Sequence, residues 1–212
     1  HGHGYLDLNF IIPELVKAAV YRKGPYHADK GDFSSAGAVD FLLRDYLPQS
    51  VVKLTAGDND FRRALVAGSA DLSPGMLTAA VDATRARGPW VLDEDLTQYR
   101  GFLRYARSIG RVRFTGTVQA YDGSWVATDQ IPLRAVLTGR TSTLGFIDPD
   151  LGGNSSRTAA TASLAFDRWE IGAYRVDHDF QLFSNFTYFL NDPRRGDEFE
   201  QRDRRSLQGL WF

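Results

Sequence analysis

The sequence predicts an all-β fold made of antiparallel strands of the transmembrane-barrel kind. Two observations carry this. From Val51 onward, apolar and polar residues alternate with a period of two, segment after segment. The connections between those segments are sorted by length, short on one side and long on the other. Strand side chains point alternately to opposite faces, so each segment has one apolar and one polar face. Short turns at one end and long loops at the other is the layout of an outer-membrane barrel. A soluble sandwich also alternates, but it has no reason to sort its loops by length.

The elements follow in order. Residues 1–48 are compact and punctuated: a short apolar strand, a turn of helix over Pro13–Val16, a strand over Ala18–Arg22 stopped by Gly24-Pro25, and a strand over Ala38–Arg44. Pro48 reads as the boundary. In Met76–Arg87, Leu77, Ala79, Val81 and Ala83 oppose Thr78, Asp82 and Thr84. In Tyr99–Arg107, Tyr99, Gly101, Leu103 and Tyr105 oppose Arg100, Phe102 and Arg104. Arg111–Tyr121 alternates most cleanly, with Val112, Phe114, Gly116, Val118 and Ala120 on the apolar side. Thr158–Phe166 alternates less well; Trp169–Val176 and Ser206–Phe212 alternate poorly and are still read as strands. Ser73–Gly75, Ile109-Gly110 and Asp167-Arg168 are the short turns. Gly88–Leu96, Asp122–Ser156 and Asp177–Arg204 are the expected long loops, with a tight link at Gly57–Asp60.

Composition sets the outer limits. The chain has 212 residues, 25 Lys+Arg against 26 Asp+Glu, and no cysteine. That balance gives no electrostatic footprint for nucleic acid. Without cysteine there is no thiolate metal site, disulfide or cysteine nucleophile. A mean hydropathy of -0.31 fits a soluble protein and a membrane barrel equally, because a barrel's inward positions are polar. No G-x-S-x-G, H-E-x-x-H or P-loop occurs, so no enzyme activity, cofactor or metal site is expected. Asp58-Asn59-Asp60 and Asp148-Pro149-Asp150 have calcium-like spacing but do not continue as a calcium loop, and turn formation explains them better. Both ends of the chain read as cut from something longer.

Several stretches resemble the TonB-dependent outer-membrane receptors. "VYRKGPYHADKGDFSSAGAVDF" (residues 20–41) looks like the end of that family's plug, and "IPELV" (12–16) like the helical turn before it. "YDGSWVATDQIPLRAV", "GFIDPDLGGNSSR" and "FSNFTYFLNDPRRGDEFEQRDRR" look like its early barrel strands and loops. The resemblance implies residues 1–48 as the C-terminal part of a small α+β plug. It implies residues 49–212 as a partial antiparallel transmembrane β-barrel, about eight strands of a barrel of about 22. An eight-stranded barrel has no room for a plug, so plug sequence demands the wider one. The implied function is energy-coupled uptake of a scarce ligand, such as an iron-siderophore or other metal chelate, across the bacterial outer membrane. The implied partners are outer-membrane lipid, the ligand, and TonB with ExbB and ExbD.

Candidate site residues follow from that frame. The resemblance places His1, His3 and Tyr5 in a plug apical loop as ligand contacts; free imidazoles at a chain end are the plainer reading of "HGHGY". Trp125, Phe183, Phe186 and Tyr188 are the expected aromatic contacts in the two longest loops, and aromatic residues also gather where a barrel wall meets the membrane-water interface. Arg100, Arg104, Arg111 and Arg113 lie on polar strand faces and are expected to pair with plug carboxylates such as Glu14, Asp32 or Asp40. The alternative is a soluble all-β carbohydrate- or ligand-binding module, whose loop aromatics would stack on its ligand.

Overall fold

The computed structural model describes residues 7–30 and 34–212. The chain is all-β, with 58% of residues in strands and 5% in helices, and its sheets are antiparallel. The N-terminal segment runs through a 3₁₀ turn at Pro13–Leu15 into strand β1 (Val16–Lys23), a second 3₁₀ turn at Ala28–Lys30, and strand β2 (Gly37–Leu43). β1 and β2 form their own two-stranded sheet. Eight further strands follow: β3 (Val51–Ala56), β4 (Arg62–Leu72), β5 (Gly75–Ala86), β6 (Leu96–Ile109), β7 (Val112–Val126), β8 (Gly152–Phe166), β9 (Trp169–Ser184) and β10 (Phe199–Trp211). They lie in sequence order as one open meander, each pairing with its neighbours in the chain. A short helix, α1 (Leu133–Leu137), sits between β7 and β8. Among the described residues no helix is long and apolar enough to cross a membrane, which leaves crossing by strands untouched.

The hairpin turns explain the tight end of the sheet. β6 and β7 are joined by two residues, the first being Gly110 at φ +58. β8 and β9 are joined the same way through Asp167 at φ +49. Left-handed residues at two-residue turns match the twist of the flanking strands, and Gly and Asp tolerate that conformation.

The other end departs from expectation. The strands outlast the expected loop starts: β7 runs to Val126, β8 begins at Gly152, β9 runs to Ser184 and β10 begins at Phe199. The reason is visible on β9. Trp169, Ile171 and Ala173 share one face, and from Tyr174 onward the apolar residues Tyr174, Val176, Phe180 and Leu182 occupy the other. The alternation persists while its phase reverses, so a count over the window cancels. Helix α1, inside the longest loop, had no sequence signal.

The two faces of the large sheet differ in a way that inverts an ordinary soluble sheet. The face carrying Thr78, Asp82, Thr84, Gln98 and Thr117 is covered, and these polar side chains are buried. It is covered by the N-terminal segment: Ile12 and Leu15 pack against Leu65, Ala67, Ala80 and Phe102 in one cluster. The apolar face is bare. Val81 is 66% exposed, Val118 48% and Leu164 44%, with Val52, Leu54, Val66, Leu103 and Ile171 exposed beside them. Val112 is exposed and Phe114 partly so; no second layer lies over them.

The upper limit of this bare apolar region slants across the sheet. The residue ending the apolar run is Arg62 on β4, Arg85 on β5, Thr97 on β6, Asp122 on β7, Thr158 on β8, Arg175 on β9 and Gln208 on β10. A single register row from Arg62 passes instead through Arg85, Thr97, Ser124, Asn154, Gln181 and Arg202. By β9 the limit has dropped six residues below that row, from Gln181 to Arg175. The limit stays on the row from β4 to β6, falls two residues on each of β7, β8 and β9, and stays level to β10; averaged across the sheet, at about 3.3 Å per residue and about 4.8 Å per strand, the slope is roughly 35–40° to the perpendicular of the strands.

Candidate functional site

The covered face holds a continuous charge network that joins the N-terminal segment to the sheet. The turn at Pro13–Leu15 projects Glu14 toward β3 and β4. Both its carboxylate oxygens accept from the Arg63 guanidinium at 2.8 Å, and Lys53 Nζ donates at 3.1 Å. Arg63 Nε also donates to Asp82 at 2.6 Å. Asp82 is fully buried and takes a second guanidinium, Arg100, at 2.5 Å. Arg100 continues to Gln98 Oε1 at 2.5 Å and to the carbonyl of Asn9. Hydrogen bonds from Arg63 and Lys53 hold Glu14 down to about 2, well below the usual carboxylate range. A buried carboxylate between two guanidinia is a favourable charge arrangement only while every member stays in place.

A second anchor lies one strand on. Asp45, just past β2, accepts from Arg104 at 2.9 Å and from Arg113. Arg104 also donates to Thr117 Oγ1 at 2.8 Å. Toward β8 and β9, Ser155 Oγ donates to Asp7 at 3.1 Å, and the Arg157 guanidinium stacks on the Phe10 ring at 3.9 Å. Above them Trp125, Phe180 and His178 form a ring series, with Trp125–Phe180 centroids 6.2 Å apart and His178–Phe180 stacked at 6.3 Å.

The two longest loops, residues 127–151 and 185–198, are tied to each other. Asn185 is 2% exposed; its backbone N–H donates to Asp129 at 2.9 Å and its side-chain amide to Asp148 at 2.7 Å. Its own Oδ1 accepts from Tyr188 N–H at 2.7 Å, and Tyr188 Oη donates to the Gln130 carbonyl at 2.5 Å. Asp197 organises the second loop. Its carboxylate accepts from Thr187 Oγ1 and from the amides of Leu190, Asn191 and Asp192, which lowers its pKa to about 2. Asp148, Asp150 and Glu198 bring carboxylate oxygens within 4.8 Å of one another and are the described residues that could share a cation. Desolvation, then the two aspartates, raises the Glu198 pKa.

The sequence-predicted residues fall into three groups. His1, His3, Tyr5 and Asp32 lie outside the described residues. Glu14, Arg100, Arg104 and Arg113 all make contacts between the N-terminal segment and the sheet, but with partners other than those expected. Asp40 does not reach the large sheet: it pairs within the N-terminal segment, with Lys30 at 3.0 Å and Arg22 at 3.8 Å. Arg111 is in the β6–β7 turn and faces Asp167 of the adjacent turn at 3.8 Å, far from any N-terminal carboxylate. Its position past the end of β6 puts it beyond the covered region.

The aromatic expectations are also redistributed. Trp125 and Phe183 belong to strands β7 and β9, not to loops, and Trp125 is on the covered face. Tyr188 is in its loop but 7% exposed, so it is a strut and not a free contact surface. Phe186 is exposed in the same loop and packs on Phe199 with centroids 5.6 Å apart. Sequence reasoning missed Asp45, Arg63 and Arg157 as site residues. Asp82 was legible as a polar-face residue, but nothing in its spacing announced that two arginines converge on it. No protein-family model, curated protein or solved structure matches this chain.

Proposed function

We propose that the chain is part of a TonB-dependent outer-membrane receptor, carrying the end of the plug and the first eight strands of the barrel wall. The observation that carries this reading is the slanted apolar limit on the bare face. Strands in a membrane barrel tilt by about 35–45°, so an apolar band level with the membrane must cross register rows at that angle. The slope of roughly 35–40° found here has that size, and a soluble sheet has no reason for one. On β7 the band spans Val112–Ala120, nine residues. At about 3.3 Å each and that tilt, these rise roughly 23 Å, close to the belt height of about 25 Å of an apolar barrel wall. In this reading the covered polar face is the lumen wall, and the Glu14, Asn9 and Asp45 contacts hold the plug against it. The long loops are extracellular and capture the scarce ligand, and TonB with ExbB and ExbD supplies energy; no covalent chemistry is involved.

The chain has no cysteine, so single cysteines report without background. Val81→Cys, Val118→Cys and Leu164→Cys in bacterial outer-membrane vesicles are expected to resist a membrane-impermeant maleimide and to react with a lipid-soluble one. Asp179→Cys and Arg202→Cys, above the band on the same face, are expected to react with both. Rapid impermeant labelling at Val118→Cys in intact vesicles defeats the proposal.

A further inference from the structure

A pocket of about 610 Å³ opens between the two joined loops. Its size is that of a small-ligand site. Its walls combine apolar rings and chains with two cations: Phe146, Tyr188, Phe189 and Leu190 on one hand, Arg134 and Arg140 on the other. Both guanidinia are exposed, and neither has an ion pair or side-chain hydrogen bond among the described residues.

The backbone builds this juxtaposition. α1 carries Arg134, and Gly139 at φ +73 turns the chain back so that Arg140 N–H donates to the Ala135 carbonyl at 2.9 Å. A left-handed glycine closing a helix by such a bond returns the following residue to the helix side. The two arginines therefore line one pocket although six positions apart. The opposite wall holds Tyr188 at φ +58, a conformation that bulky residues rarely adopt. It is held there by the bonds to Asn185, Gln130 and the Asp197 N–H, which donates to the Tyr188 carbonyl at 2.6 Å. Strain maintained by several bonds is a mark of a shaped site.

We propose that this pocket binds a small aryl carboxylate, its ring between Phe146 and Phe189 and its carboxylate between Arg134 and Arg140. Planar guanidinium matches carboxylate geometry, and unpaired cations beside apolar rings select for an anion attached to a flat apolar body. The proposal does not rest on the membrane reading, and the vesicle labelling above can succeed or fail independently of it.

The test is a titration of the isotopically labelled folded chain in detergent micelles, read by amide chemical shifts. 2-Naphthoate is expected to shift the Arg140 and Phe189 amides saturably. 2-Naphthylmethanol, the neutral counterpart, and inorganic phosphate, the charge without the ring, are each expected to bind at least about tenfold more weakly, the effect of losing one good charge-assisted contact or the buried ring. The double variant Arg134→Gln/Arg140→Gln is expected to weaken 2-naphthoate by at least about tenfold while leaving 2-naphthylmethanol unchanged. Both residues are exposed, so the fold survives. Equal binding of the acid and the alcohol, equal binding of phosphate, an unaffected double variant, or no saturable shift at these amides would each overturn the assignment.

Discussion

Removing the Glu14 carboxylate is the sharpest way to ask whether charge holds the N-terminal segment against the sheet. Glu14→Gln keeps the shape and removes the charge that accepts both arms of Arg63 and the Lys53 ammonium. The magnitude can be worked from protonation. The carboxyl is held at about 2 against an ordinary 4.5. At about 1.4 kcal/mol per unit this is roughly 3 kcal/mol, and the partners' partial burial leaves it only modestly screened. Charge-assisted bonds counted separately reach the same order. Arg63 retains Asp82, so the substitution does not strand a buried cation. The depressed pKa fixes the sign: the stabilisation is fully present above 4.5 and is lost as pH falls through about 2. The assay is amide exchange at Leu47, whose N–H donates to Ser69 Oγ on β4 at 2.8 Å and so reports docking of this segment on the sheet. Roughly a hundredfold loss of protection is expected in Glu14→Gln at neutral pH, with wild type converging on the variant toward pH 2. A change below about threefold, or a wild-type-to-variant gap that does not close in acid, would refute the reasoning.

Three further outcomes are expected. Asp82→Asn leaves Arg63 and Arg100 facing a neutral amide in a buried site and should cost roughly 3–5 kcal/mol in thermal or denaturant unfolding; a loss under about 1 kcal/mol contradicts the network. Val118→Lys on the bare face should cost about 2–4 kcal/mol in a bilayer, whereas on a water-facing surface it should stay within about 0.5 kcal/mol, so refolding into lipid vesicles separates the two environments. Asp197→Ala should release the amides of Leu190, Asn191 and Asp192 to rapid exchange; in wild type their protection should survive at pH 4 and disappear as pH falls through about 2.

The β architecture was legible because one face of each strand had to be apolar, and period-two alternation records that directly. Arg111–Tyr121 announces β7 residue by residue as far as Tyr121, and the rest of the strand to Val126 was hidden. Legibility failed where the alternation changed phase, at Ala173–Tyr174, and where neither face was strongly apolar, as in Gly152–Arg157. The charged face was legible as a class and not as a pairing. Arg100, Arg104 and Arg113 sit where polar positions should be, but their partners Asp82 and Asp45 follow from how the N-terminal segment settles on the sheet. Asp40 shows the same limit: its local partner Lys30, across the β1–β2 hairpin, outcompetes any distant arginine. The loop pocket left no trace in spacing, because Arg134 and Phe189 meet only after two loops separated by a hairpin fold against each other.

The phase reversal on β9 has a topographic consequence. From Arg175 to Gln181 that strand rises as a ribbon polar on its outer side, about 20 Å along its length at roughly 3.3 Å per residue. It works as a stilt, lifting the joined loops clear of the greasy zone beneath. In the proposed membrane setting, a molecule arriving at their crevice is met in open water, so its capture should be indifferent to the fatty composition around the base.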